Sequence, residues 1–150
     1  MIRCLIAVLA LAVFSPLTAQ AQEWTAEQQE IWKFEEACWA AREMEDDCFH
    51  EDFLGWGMAE LSAPTSKADR RALRRRTLET EDPTFLFLKP LSIKVHGNVA
   101  VVLYLATGTN KNKVTGEETR FTQRWTDIVL KEGDTLKWIA DHGGPVGNDD

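Results

Sequence analysis

At 150 residues, 44% of them hydrophobic and including six tryptophans and seven phenylalanines, the chain can fill one compact core but not two comfortable domains. Its 24 acidic against 17 basic side chains, a net charge of −7, repel nucleic acid and anionic lipid as bulk partners. The longest apolar run, at the N-terminus, is far shorter than the roughly 20 residues that a bilayer span needs.

Residues 1–21 read as a secretory signal peptide. Arg3 precedes an apolar run from Leu5 to Phe14, a Ser15-Pro16 break follows, and Ala19-Gln20-Ala21 supplies a small-residue cleavage site after Ala21. The mature protein is therefore expected to be secreted or periplasmic, with no membrane association after cleavage. Losing Arg3 leaves 17 − 1 = 16 basic side chains against 24 acidic, a net charge of −8. Cys4 leaves with the leader, and Cys38 and Cys48 remain as an even pair in an oxidising compartment. A disulfide is the first reading and two separate buried thiols the second.

Thr25 with Gln28 forms a capping box ahead of residues 26–43, which lack Gly and Pro, so a long first helix is predicted there. At 100° per residue, Ile31, Trp32, Phe34, Cys38 and Trp39 share one arc, and Glu35 and Arg42 fall inside it. These two either pair at the rim of the arc, or Glu35 points into a cavity. Glu43 to Asp47 is an acidic hinge. A chain that doubles back there brings Cys38 and Cys48 level, as a bridge requires.

The run from Cys48 to Gly57 sets His50, Glu51 and Asp52 among Phe49, Phe53, Leu54 and Trp56, and reads as a short helix or turn. Ser66 with Asp69 caps a second helix through about Glu79. Its Arg70, Arg71, Arg74, Arg75 and Arg76 read as a solvated face bonding to the acidic surface, with an anion-binding patch as the other reading.

From Thr84 the period changes to that of strands. Leu91, Ile93 and Val95 alternate with polar residues, Gly97-Asn98 turns the chain, and Val99 to Thr107 should be a central strand. Gly108 to Glu118 reads as a long mobile loop, Arg120 to Leu130 as the next strand, and Thr135 to His142 as its return after Glu132-Gly133-Asp134. Gly143-Gly144-Pro145 should end order, leaving residues 146–150 frayed. The layout is α+β, a curved antiparallel sheet with helices packed across its concave face.

The tryptophan-bearing first helix, the acidic hinge, His50-Glu51-Asp52-Phe53-Leu54-Gly55-Trp56 and the closing hairpin of Arg124-Trp125-Thr126, Gly133 and Trp138-Ile139-Ala140-Asp141-His142 together resemble the NTF2-like superfamily. Within it the pattern is similar to the SnoaL-like and DUF4440-type small domains. The resemblance covers residues 24–143 and places one such domain at 22–145. It implies a cone whose interior is a cavity, in a superfamily that holds ketosteroid isomerases, polyketide cyclases, epoxide hydrolases, dehydratases and non-catalytic binding modules. Fold alone does not choose among these.

A proton-shuttling enzyme needs a carboxylate or histidine in apolar surroundings and a donor for the developing oxyanion. Asp52 and His142 are the candidate general bases, with His50 and Asp141 behind them. Glu35, Trp56, Tyr104, Arg124 and Trp125 are the candidate ligand-binding residues. Asp141 and His142 are successive on a strand, so only one faces the cone, and His142 shares a side with Trp138 if the strand is regular. Arg124, Thr126 and Ile128 share one face of their strand; Gln123, Trp125 and Asp127 share the other. Epoxide hydrolases of the superfamily pair an arginine with an aspartate two positions on, where this chain has Thr126, so that activity is disfavoured. Arg124 either binds an acidic ligand group or forms a structural ion pair.

His-x-His and Glu-x-x-His spacings, phosphate loops and nucleophile elbows are absent from the sequence, so no metal and no cofactor is expected. Two functions follow. The favoured one is an exported module whose hydrophobic cavity binds a small organic molecule, or whose open sheet face forms a homodimer. The other is a cofactor-free isomerase, cyclase or dehydratase.

Overall fold

The computed structural model describes residues 23–41, 48–56 and 63–146. The expected leader, Arg42, the acidic hinge, Gly57 and residues 147–150 of the expected tail lie outside the described residues.

Helix α1, Ala26–Ala40, starts at the Thr25 cap, whose hydroxyl accepts from Gln28 while the Gln28 side chain accepts from the Thr25 amide. Ile31, Glu35 and Cys38, spaced by four and three, form its buried stripe. Strand β1, Phe49–Trp56, and the two-residue β2, Thr65–Ser66, lead into α2, Lys67–Thr80, capped by Ser66 and Asp69. Four long strands follow: β3 Glu81–His96, β4 Val99–Asn112, β5 Glu118–Glu132 and β6 Thr135–Pro145.

The strands form one sheet in the order β2-β1-β6-β5-β4-β3. The expected meander of four antiparallel strands is its major part, but the sheet has six strands and is mixed, because β1 runs parallel to β6. Both helices lie on one face, an α+β cone.

Three expectations change. The run after Cys48 is a strand, alternating Phe53 and Gly55 inward with Asp52, Leu54 and Trp56 outward. The Gly108–Glu118 loop shrinks to a turn, because β4 continues to Asn112 and pairs through Lys111 with Glu118. Strand β6 runs on through Gly143 and Gly144 to Pro145. Gly143 has a packing reason: a Cβ there would lie 2.5 Å from the Trp125 ring, so glycine lets indole and backbone close together.

The Cys38–Cys48 disulfide, with Cα atoms 5.9 Å apart, ties the last turn of α1 to the start of β1 and is buried at both ends. It is consistent with folding in an oxidising compartment. Phe49, Phe53 and Trp138 stack edge to face beside it, and Trp39 meets Tyr104 and Trp125 in the same way.

One irregularity governs the interior. Between β5 and β6, Val129 pairs with Trp138 but Ile128 pairs with Ala140, so Ile139 is an extra residue, a β-bulge. Beyond it the side-chain alternation is reversed relative to Trp138.

Candidate functional site

A cavity of about 840 Å³ opens between α2, the first half of β3 and the helix-covered face of β4, β5 and β6. Leu73, Phe85 and Phe121 line its outer part, and Trp39, Trp125 and Trp138 line its inner part. Apolar surface exceeds polar in this container, whose charged lining is Arg70, Arg74, Asp82, Asp127 and Asp141, a composition suited to a small-molecule site.

The polar groups around its inner end come from five elements. Asp127 on β5 is two residues from Trp125 and therefore shares its inward face; it is 3% exposed and lines the cavity. Tyr104 of β4 donates to Asp127 Oδ2 at 2.7 Å and accepts from Trp39 Nε1 at 2.7 Å. Glu35 of α1 lies wholly buried beside them, its two oxygens each 3.0 Å from Trp138 Nε1. From α2, Arg70 Nη2 donates to Asp141 Oδ1 and Oδ2 at 2.5 and 2.7 Å, and both residues line the cavity.

Burial decides the protonation states. The Glu35 carboxyl is held well above the usual range, first by desolvation and then by the Asp127 charge beside it. Asp127 is pushed up to about 7, again by desolvation first; the Tyr104 hydroxyl draws it down and the Asp141 charge draws it up. Asp141 is also raised by burial, against the pull of Arg70. The Tyr104 phenol is pushed up and stays a donor. Asp127 Oδ1 is buried with no hydrogen-bond partner, and the Glu35 carboxyl is close enough for the two groups to shift each other's proton affinity. Two carboxyl groups side by side in so desolvated a place resist ionising together, so they titrate as a coupled pair. The result is a carboxyl of near-neutral basicity, held by Tyr104, at the wall of the cavity.

The residues singled out from sequence divide between the two faces. Tyr104 and Trp125 line the cavity, and Glu35 lies behind its wall. Asp52 does not: its side chain is 92% exposed, because β1 turns it outward, where Asp52 N bonds to His50 Nδ1. Trp56 alternates outward in the same way and is 45% exposed. Arg124 projects from the opposite face of β5. His142 is exposed on that opposite face too, against the count from Trp138, because the bulge at Ile139 turns Asp141 inward instead. Sequence reasoning missed Asp127, which follows from Trp125 by two, and Arg70, which shares with Leu73, Arg74 and Thr77 the α2 face that lines the cavity. Among the described residues no three His, Cys, Asp or Glu side chains are placed to hold a metal ion, and no helix is long and apolar enough to cross a membrane.

No protein-family model and no curated protein matches the chain. Solved structures do. A ketosteroid isomerase-like protein from Erwinia carotovora atroseptica superposes with a TM-score of 0.68 at 16% identity, over 83% of this chain and 100% of that one. An NTF2-like protein of unknown function in nutrient uptake from Rhodospirillum rubrum gives 0.64 at 19% identity, over 78% and 98%. An NTF2-like protein from Cytophaga hutchinsonii gives 0.68 at 12% identity, over 81% and 100%. The chain has the NTF2-like fold that its sequence pattern resembles; identities this low speak for the fold alone.

Proposed function

We propose that the protein is an exported small-molecule enzyme of isomerase, cyclase or dehydratase type, working without a cofactor, in which Asp127 is the general base. The observation that carries this reading is Asp127 itself, a buried carboxylate at the wall of an open apolar cavity, with its affinity for protons raised to about pH 7. A base of that strength takes a proton from an activated C–H near neutral pH and releases it again. Asp127 replaces Asp52 and His142, which are turned away from the cavity. Binding without chemistry uses the same container and lacks only the proton transfer, so one assay separates the two. Export rests on the leader-like residues 1–21 and on the disulfide. On the opposite sheet face Phe87, Leu91 and Leu103 are 56, 46 and 38% exposed, which supports a homodimer formed through that face.

The test is proton exchange on 2-tetralone, a bicyclic ketone with activated C–H bonds, in deuterium oxide. The wild type should speed deuterium incorporation with a rate that rises through about pH 7, and Asp127→Asn should lose at least a hundredfold of that acceleration. A variant as fast as the wild type would leave the cavity a binding site only.

A further inference from the structure

Arg70 enters the cavity from α2 with its side chain 9% exposed. The site that holds it is built from three sequence features. The bulge at Ile139 turns Asp141 toward it, and Gly55, opposite Asp141 in the β1–β6 register, leaves the space that the Asp141 carboxylate occupies. Phe53 and Trp125 then flank the guanidinium, its carbon 5.8 Å from each ring centroid.

A guanidinium has five N–H donors. Among the described residues every hydrogen bond Arg70 makes leaves from Nη2 and ends on Asp141, while Nε is buried with no partner. Unsatisfied donors in a desolvated place are costly, and a ligand acceptor that reaches the guanidinium recovers that cost on binding. Asp127 is close enough to feel the Arg70 charge.

We infer that Arg70 is the ligand-orienting residue of the cavity and that the ligand is a neutral, mostly apolar molecule presenting a carbonyl-type oxygen to it. Neutrality follows from the charge count. Asp82, Asp127 and Asp141 line the cavity from β3, β5 and β6 against Arg70 and Arg74 from α2, with Glu35 behind the wall, so the acidic groups outnumber the basic ones and a ligand carboxylate would sit beside Asp127. The inference rests on the proposed use of the cavity and adds the ligand's chemistry and the group that aligns it.

The experiment compares binding of 2-tetralone with that of tetralin, the same bicycle without the oxygen, and of tetralin-2-carboxylate, all followed by tryptophan fluorescence at pH 8. The wild type should bind the ketone about ten- to a hundredfold tighter than the hydrocarbon. Arg70→Met combined with Asp141→Asn, which avoids an orphaned carboxylate, should bring that ratio close to one and leave tetralin binding as it was. Arg70→Lys, which keeps the charge and loses the fork, should lower the ratio severalfold. Equal wild-type affinity for ketone and hydrocarbon would overturn the assignment of Arg70, and a carboxylate binding tighter than the ketone would overturn neutrality. The exchange assay keeps the two proposals apart. A ratio of one with Asp127-dependent exchange intact removes only Arg70, and a high ratio with exchange indifferent to Asp127 removes only the base.

Discussion

Replacing Gly55 by alanine adds one methyl group at the point where β1 meets the bulged end of β6. A Cβ there would stand 1.9 Å from Asp141 Oδ1, 2.7 Å from its Cγ and 2.9 Å from Phe53 Cζ, all inside contact distance. Gly55 is not at positive φ, so backbone strain plays no part and the effect is one of space. Asp141 must leave its place opposite Gly55, and its 2.5 and 2.7 Å bonds to Arg70 break with it. Overpacking costs about 1–3 kcal/mol. Disrupting a buried ion pair adds to that, though less than the about 3–5 kcal/mol of deleting one partner outright, because both charges remain and relocate together. The sum is on the order of 3 kcal/mol, or roughly 10 °C in Tm for a domain of this size. Thermal melts followed by circular dichroism, beside urea titrations, measure it. Gly97→Ala is the comparison: its φ is +63° but a Cβ there meets nothing within 4 Å, so strain alone acts, at about 1–2 kcal/mol. A Gly55→Ala protein that melts within 2 °C of the wild type would refute the claim that this glycine exists to seat Asp141.

Two further outcomes follow. The folded-state affinities of Glu35 and Asp127 for protons are raised, so the unfolded chain releases their protons first as pH rises; stability should fall from about pH 4 through pH 7. The rise of Asp127 from 3.8 to about 7 corresponds to about 4 kcal/mol at 1.36 kcal/mol per unit, and Glu35→Gln should flatten the slope in pH-dependent urea titrations. A slope of the opposite sign would contradict the protonation scheme. On the uncovered sheet face, light scattering should give the mass of a dimer for the wild type and of a monomer for Leu103→Glu; equal masses would end that proposal.

Features set by local rules were legible in the sequence. The Thr25 and Ser66 caps, the Gly97-Asn98 turn and the strand alternation through Trp125 depend on near neighbours, and the structure carries them all. The cysteine pair was legible because only two remain once Cys4 is set aside, and a reversal between them brings them together. What failed is what depends on a single inserted residue or on long-range pairing. Counting by twos from Trp138 points to His142, and the bulge at Ile139 replaces it with Asp141. The polar run around Asp52 looked concentrated, but pairing of β1 with the distant β6 made it a strand and turned Asp52 and Trp56 outward. Arg70 looked like one of five equivalent arginines until α2 packed and buried it alone. Asp127 was within reach of the argument, since Trp125 fixes its face; a lone carboxylate between β-formers gave no other sign of its depth.

The account turns on the state of one carboxyl group. With aspartate side-chain carboxyls labelled with carbon-13, the Asp127 resonance, assigned by its loss in Asp127→Asn, can be followed from pH 3 to pH 9 in the ligand-free protein. The predicted midpoint is about 7, with a coupled step from Glu35, raised well above the usual carboxylate range, in a sample labelled on glutamate. An Asp127 that titrates near 4 would be an ordinary buried anion, and the general base proposed for this cavity would not exist.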